Sequence, residues 1–316
     1  YHHNAGCCFH KITLLKKAIH FFFFGNYFYG CCAAALAVEA GLQQHALVRS
    51  PLFYVLLFCC SVVFYTFAYI QESTSNAINI RSRWYAGNAG LVKFSQAALL
   101  VVSLCCVAVL IVHEGNKLYL LTPMQVAAAA LCSYIAVAYY GIPIGNGFSI
   151  NVRNTGWFKP FAIGLVWATL VTYIPVLWYQ VETGTPYRFS MLNLWFFLKN
   201  FMYISILAIM FDIKDYTADH NLQLKTFVVR AGIRKTIYLV IIPLTLAGLV
   251  ALIVFASLQS FPPLRIAINC IPFITLLAVA FSMQRHKPII YYLAVIDGLM
   301  LLKAVCGIVA TVVTRQ

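Results

Sequence analysis

FDIKDYTADH, residues 211–220, directly follows a long apolar run and carries three of the eight acidic residues of the chain. If this stretch forms one helix, Asp212, Asp215 and Asp219 are related as i, i+3 and i+7, and their carboxylates share one face. Crowded carboxylates repel one another unless a cation lies between them. Mg²⁺ prefers oxygen ligands of this kind and completes its shell with phosphate oxygens and water. The stretch therefore predicts a magnesium site that faces a phosphorylated ligand.

The composition of the chain is that of a polytopic membrane protein. Hydrophobic residues make up 62% of the sequence, charged residues only 9%, and the mean hydropathy is +0.85, whereas soluble proteins carry about 25% charged residues. The first apolar run follows Lys11, Lys16 and Lys17 without a small-residue cleavage site, so we expect a retained helix rather than a signal peptide. The net charge of +14 lies in short loops and does not indicate a nucleic-acid partner.

Nine apolar runs have about the 20-residue length that a bilayer-spanning helix needs. None shows the strict alternation of a membrane β-strand. The sequence therefore predicts an all-α integral membrane protein with nine transmembrane helices, forming a single transmembrane domain over residues 1–316. The runs cover approximately residues 18–39, 52–71, 91–112, 123–141, 158–180, 191–211, 237–258, 264–283 and 288–312.

The loops predict an orientation and a weak internal repeat. A cytoplasmic N-terminus places most loop Lys and Arg residues on the cytoplasmic side, as the positive-inside rule requires, and the C-terminus on the opposite side. We expect a bacterial cytoplasmic (inner) membrane. The long connections 72–90 and 212–236 follow the second and sixth helices, and each is polar first and basic later. This correspondence predicts a repeat of helices 1–4 in helices 5–8, with helix 9 added.

The acidic segment continues in a way that resembles a known family. Its D-x-x-D-x-x-x-D pattern is followed by Leu224-Lys225-Thr226 and then by Val229-Arg230-Ala231-Gly232. This combination resembles the second acidic motif of the UbiA-type intramembrane prenyltransferases. The resemblance implies a helical bundle around a central cavity that opens towards the cytoplasm. It also implies transfer of a polyprenyl group from a diphosphate donor, held with Mg²⁺ between two acidic motifs, to an acceptor in the membrane.

The first acidic motif of that family is degenerate here. The family pattern is N-D-x-x-D-x-x-x-D followed by an arginine, and anchoring that arginine on Arg81 leaves only Glu72 and Asn76 as matching polar positions. By the resemblance, Asp212, Asp215 and Asp219 are the catalytic residues. The implied metal ligands are Asp212, Asp215, Asp219 and Glu72. The implied diphosphate-binding residues are Asn76, Arg81, Lys225 and Arg230.

The degenerate motif leaves two functions open. The first is a divergent prenyltransferase that binds Mg²⁺ and an isoprenoid diphosphate and acts on an unidentified acceptor. The alternative is a catalytically inactive UbiA-like subunit of a membrane protein complex that binds lipid or quinone, which the aromatic run Phe21–Phe24 also suits. Membrane lipids are partners in either case. A simpler interpretation of the acidic segment is a solvated helix end that pairs with Lys214, Lys225 and Arg230.

Two further groups of residues carry structural predictions. Lys199 lies near a predicted helix end and is expected to extend towards the membrane surface, whereas the more central Lys303 needs an acidic partner, for which Asp297 is the candidate. Prolines inside the apolar runs are expected to distort their helices, since proline lacks a backbone N–H group. These prolines are Pro175, Pro243 and Pro272.

Overall fold

The protein folds as a bundle of apolar helices with one small β-hairpin. The computed structural model describes residues 17–72, 80–139, 142–144, 148–150, 156–221, 223–285 and 287–314. Within these ranges the side chains of some residues are not described. These are Ala68, Gln71, Glu72, the residues of the two strands and residues 217–219. The predicted all-α fold class is confirmed. The hairpin, an addition to that prediction, pairs β1 (Ile142–Ile144) with β2 (Phe148–Ile150) in antiparallel register inside the long loop 142–157.

Sixteen helical segments follow one another along the described chain. They are α1 (Lys17–Phe24), α2 (Tyr27–Gln43), α3 (Pro51–Glu72), α4 (Ile80–Gly87), α5 (Ala89–Glu114), α6 (Pro123–Tyr139), α7 (Lys159–Ala168), α8 (Ile174–Thr183), α9 (Met191–Lys214), α10 (Tyr216–Asn221), α11 (Phe227–Ala231), α12 (Ile233–Thr236), α13 (Ile242–Leu258), α14 (Pro263–Ser282), α15 (Ile289–Tyr291) and α16 (Asp297–Val313).

The helices identify an integral membrane protein. Six uninterrupted helical stretches of the described chain are long and apolar enough to cross a bilayer, and α1 with α2, bent by 56°, adds a seventh. Two shorter apolar helices, Pro51–Phe67 and Pro123–Tyr139, coincide with the remaining predicted runs. The count of nine spans is therefore not confirmed and stays a prediction. Large apolar side chains on the outside of α5, such as Phe94 and Val112, are exposed as lipid contact requires.

The centre of the bundle is α9. It packs against α7 and α13, while α2 packs against α3 and α16, so the first and last long helices lie side by side. Between α7 and α9 the backbones approach closely at Gly164, where an added Cβ atom would lie 2.9 Å from the Phe201 carbonyl oxygen. Small residues permit such contacts between membrane helices. This close contact fixes the start of α7 beside the end of α9.

Two of the three prolines, Pro175 and Pro243, lie just after a π-turn, which is wider than a turn of α-helix. Residues Thr169–Tyr173 form a π-turn directly before α8, in which Pro175 is near the first position, and Ile237–Ile241 form another before Pro243. The wider turn accommodates the missing N–H group and the pyrrolidine ring. Pro272, in contrast, lies inside α14, which runs on through it.

A buried network of polar side chains joins four of the long helices. Glu39 of α2 accepts a hydrogen bond from Lys303 Nζ of α16 at 3.0 Å, and its other oxygen lies 3.7 Å from Lys199 Nζ of α9. Gln43 donates to the same carboxylate at 2.7 Å and to Asn269 of α14 at 3.3 Å. A charge in a bilayer core is costly, so these residues stabilise the fold only as a set.

This network corrects two predictions about the lysines. Lys199 does not extend to the membrane surface: it is 2% exposed and is held between Glu39 and the ring of Phe196, whose centroid is 4.1 Å from its Nζ atom. Lys303 pairs with Glu39 and not with Asp297. Both predictions failed because they considered only neighbours in sequence, whereas the partner carboxylate comes from a distant helix.

Candidate functional site

A cavity of about 180 Å³ opens beside the C-terminal end of α9. Polar and charged side chains from five elements form one part of its wall, and aromatic and aliphatic side chains form the rest. The polar part comprises Asn26, Arg81, Lys159, Asp212, Lys214, Asp215 and Asp297. The main apolar residues are Tyr29, Tyr65, Tyr69, Ile163, Trp167, Ile204 and Phe211.

The acidic segment reaches this cavity from the end of α9. Asp212, with its side chain 1% exposed, is on the last turn of the helix, and Asp215 follows it as the C-cap with its side chain 41% exposed. The stretch 211–220 is not one continuous helix, because α9 ends at Lys214 and α10 begins at Tyr216. Two carboxylates of the segment therefore line the cavity together.

A lysine from another helix neutralises Asp212. Lys159, the first residue of α7, donates a hydrogen bond from Nζ to Asp212 Oδ1 at 2.8 Å. Its side chain is only 14% exposed, so the pair is largely shielded from solvent. At the mouth, Lys214 lies 3.2 Å from Asp215 Oδ1. Each carboxylate of α9 in the cavity thus has an ammonium group next to it.

Arg81 also lines the cavity and is held by the break between α1 and α2. The chain turns at Asn26, which has φ 65° and so lies in the left-handed region that asparagine tolerates. This turn leaves the Phe24 carbonyl group without a helical N–H donor. Arg81 donates to that carbonyl at 2.8 Å, to Asn26 Oδ1 at 2.5 Å and to the Tyr69 hydroxyl at 2.9 Å.

The arginine is further supported from its own helix. The Tyr85 hydroxyl of α4 donates to the Phe24 carbonyl at 2.6 Å. Burial raises the pKa of this phenol, which keeps it neutral and able to donate. Asn26 Nδ2 donates to Thr66 at 3.0 Å. The guanidinium group is therefore fixed in position, while its cavity-facing side contributes positive charge.

The structure does not bring all of the predicted site residues to the cavity. Lys225 and Arg230 are exposed and do not line it, because Thr226 caps α11 by accepting from the Val229 N–H group at 3.3 Å and so begins a separate helix there. Glu72 ends α3 and Asp219 lies in α10, but their side chains fall outside the described part of the chain. Asn76 falls outside the described residues altogether.

The apolar wall is rich in aromatic rings that contact one another. Tyr29 and Tyr65 stack with centroids 4.7 Å apart, and Tyr69 stacks on Tyr85. The Trp167 indole N–H group donates to the Tyr65 hydroxyl. These contacts fix the rings in the cavity wall, where they offer apolar surface to a ligand.

Sequence reasoning missed three polar residues of the cavity. Asn26 interrupts the first apolar run, and the pair Gly25-Asn26 was the available signal. Lys159 was counted only as a loop charge. Asp297 was assigned to Lys303, although an acidic residue inside a membrane helix is itself a signal of function.

Two solved structures are similar to this chain, and both are of a UbiA homologue from Archaeoglobus fulgidus. The first aligns with a TM-score of 0.52 at 13% identity and covers 93% of this chain and 99% of that one. The second, bound to GPP and Mg²⁺, aligns with a TM-score of 0.54 at the same identity and coverage. The chain has a UbiA-type fold. The predicted fold is therefore confirmed by structure, while no protein-family model and no curated protein sequence matches the chain.

One of these two homologue structures holds Mg²⁺, and the cavity of this chain contains side chains of the kind that bind this ion. Asp212 and Asp215 line the same space and offer carboxylate oxygens, of which Mg²⁺ typically takes one or two from a protein. Within the described part of the chain, no three His, Cys, Asp or Glu side chains come together as a metal-binding group. Because Mg²⁺ takes six ligands, two carboxylates could hold the ion only together with further oxygen atoms from a ligand or from water.

Proposed function

We propose that this protein is a divergent UbiA-type prenyltransferase that binds an isoprenoid diphosphate and transfers its prenyl group to an acceptor in the membrane. The observation that carries the proposal is the division of one cavity into a charged end and an aromatic end. A prenyl diphosphate has the same division, with about three negative charges at one end and an apolar chain at the other. The fold and the cavity support this substrate class together.

In this proposal the charged end holds the diphosphate. Arg81, Lys159 and Lys214 line the cavity and supply positive charge opposite the phosphate oxygens. Asp212 and Asp215, with Asp219, would hold Mg²⁺, which acts as a Lewis acid on the leaving diphosphate. The three basic side chains also stabilise the charge that accumulates on the diphosphate as the allylic C–O bond breaks.

The aromatic end binds the prenyl chain. Tyr29, Tyr65 and Trp167 present ring faces, which attract the positive charge that develops on the allylic carbon. Ile163 and Ile204 extend this wall with apolar surface. The same residues keep water away from the reactive carbon, so that the acceptor rather than water attacks it.

Donor binding tests this proposal. Purified protein in mild detergent is titrated with labelled geranyl diphosphate, with Mg²⁺ and with EDTA. We expect Mg²⁺-dependent binding in the wild type and at least tenfold weaker binding in Asp215→Asn, equivalent to about 1.4 kcal/mol. Glu114→Gln is the matched control, because Glu114 pairs with Lys117 away from the cavity. Binding that is unaffected by EDTA and by Asp215→Asn contradicts the proposal.

The alternative is a catalytically inactive subunit that binds lipid or quinone, and one observation favours it. Lys159 already neutralises Asp212 at 2.8 Å and competes with a metal for that carboxylate. Stoichiometric partner proteins in the mild-detergent preparation, without Mg²⁺-dependent binding of geranyl diphosphate, support this alternative.

We propose in both cases that the cavity and the N-terminus face the cytoplasm. Labelling of single introduced cysteines from each side of the membrane tests this orientation.

A further inference from the structure

Asp297 is a buried carboxylate in the cavity that neither acidic motif includes. It is the first residue of α16 and follows the π-turn Tyr292–Ile296 directly. Such turns add a residue to the helix and are frequent at functional sites. Asp297 is 1% exposed and lines the cavity with Tyr29 and Trp167. The distorted helix thus places a buried acid in the cavity wall.

The surroundings of this carboxylate leave part of it unsatisfied. The Tyr29 hydroxyl and the positive charges of Arg81 and Lys214 act on the Asp297 side chain. Among the described residues, however, none hydrogen-bonds to Asp297 Oδ2, and none forms an ion pair with this side chain. A buried acceptor without a donor costs about 1 to 3 kcal/mol. An unsatisfied buried atom that faces a cavity indicates a bound partner.

Two other acidic residues, the buried Glu39 and the partly buried Glu182, are examples of carboxylates with a structural role. Glu39 is contacted by Lys303, Lys199 and Gln43. Glu182 accepts hydrogen bonds from the backbone N–H groups of Arg49 and Ser50, each at 2.8 Å. Both carboxylates are satisfied by the protein itself. Asp297 differs from them, which favours a role towards a ligand over one in folding.

We propose that Asp297 accepts the proton that the prenyl acceptor loses, an inference that rests on the proposed function. In this step the allylic C–O bond breaks and diphosphate leaves with the bonding electron pair. The acceptor forms a new bond to the allylic carbon, and its displaced proton passes to Asp297 Oδ2. Release of that proton to water restores the carboxylate. The acceptor therefore carries an O–H group or an activated ring C–H group and enters beside Tyr29.

Asp297 comes from a different helix than the carboxylates of the acidic segment, although Arg81 and Lys214 act on it electrostatically. Asp212 and Asp215 lie at the end of α9 with Lys159 and Lys214. Asp297 comes from α16, where the Cys32 thiol donates to its backbone carbonyl at 3.7 Å and fixes the start of the helix against α2. Replacing Asp297 by asparagine keeps every basic group that is proposed to hold the diphosphate, so we expect it to slow transfer and to leave binding and ionisation of the donor in place.

The test compares Asp297→Asn with Asp297→Glu and with the control Glu114→Gln. Each protein receives labelled geranyl diphosphate and Mg²⁺, with a total lipid extract of the source membrane as acceptor. Donor affinity, diphosphate release and labelled lipid product are measured separately. We expect Asp297→Asn to change donor affinity less than threefold and to lower the rate of product formation roughly 100- to 10,000-fold, as for removal of a general base. Asp297→Glu should restore part of that rate.

Three results overturn the inference. Undiminished product formation by Asp297→Asn shows that the carboxylate does not take the proton. Equal losses of donor affinity and product formation in both Asp297 variants indicate a structural role. A wild type that binds the donor but yields no labelled lipid excludes transfer and this inference with it. Failure of the wild type to bind the donor at all is different, because it refutes the proposed function itself.

Discussion

At the scale of single residues, Lys159 and Asp212 determine the electrostatics of the cavity. The sequence predicted Asp212 and Arg81 as site residues, since both belong to recognisable motif positions. It could not predict that Lys159 neutralises Asp212, or that Arg81 caps the Phe24 carbonyl, because these contacts depend on how separate helices pack. Residue type indicated which side chains belong to a site, while their partners followed from the three-dimensional arrangement.

Replacing Lys159 by methionine should destabilise the protein through Asp212. The substitution leaves a carboxylate that is 1% exposed without its ammonium partner, and breaking such a pair costs about 3 to 5 kcal/mol. The double variant Lys159→Met with Asp212→Asn should be more stable than Lys159→Met alone. Thermal unfolding in detergent measures both. Lys117→Met, which breaks a more exposed pair, is the control and should cost at most about 1 kcal/mol. Equal stability of the single and double variants refutes this reasoning.

At the scale of elements, the site lies where helices are interrupted. The apolar runs were predicted well from hydropathy, because burial in lipid requires them. The break at Asn26 lay inside one such run, 18–39, where both halves are equally apolar. The break at Asp215 lies inside the acidic segment, where the spacing of the carboxylates does not show whether the backbone stays helical. Hydropathy shows where a helix crosses the membrane, but not where its backbone leaves the α-helical path.

The contact of α7 with α9 gives a prediction at this scale. Gly164→Ala places a Cβ atom 2.9 Å from the Phe201 carbonyl oxygen, so the helices must separate. We expect a loss of about 1 to 3 kcal/mol, as for an overpacked core, and weaker donor binding because Lys159 moves away from Asp212. Gly90→Ala is the matched control, since nothing lies within 4 Å of the added atom, and it should stabilise α5 by up to about 1 kcal/mol. Equal stability of the two variants in thermal unfolding contradicts the prediction.

At the scale of the whole molecule, the buried carboxylate of Glu39 connects α2, near the beginning of the chain, with α16, near its end. Glu39 of α2 contacts Lys199 of α9 and Lys303 of α16, while Gln43 reaches Asn269 of α14. Composition predicted a membrane protein and the motif predicted its fold, but neither could predict this network, since its members are far apart in sequence. The internal repeat of helices 1–4 in 5–8 stays a prediction.

Removing the Glu39 carboxylate should loosen the whole bundle. Glu39→Gln leaves Lys199 and Lys303 buried without an anion, which should cost about 3 to 5 kcal/mol. The triple variant Glu39→Gln, Lys199→Met, Lys303→Met should recover much of this loss, because no buried charge remains. Unfolding midpoints in detergent measure the effect, with Glu114→Gln as the control. A triple variant no more stable than Glu39→Gln would show that the charges are not the cause.

The ammonium group of Lys159 next to Asp212 also makes membrane insertion and folding of the protein independent of the supply of divalent cations. Because the buried carboxylate is already neutralised by the chain itself, the helices can insert and pack before any divalent cation arrives. A protein whose acidic residues depended on metal for neutralisation would stay loosely packed in an ion-poor membrane and be open to proteolysis. This chain instead carries its counter-ion from synthesis onward, so its abundance in the membrane is expected not to follow cellular magnesium.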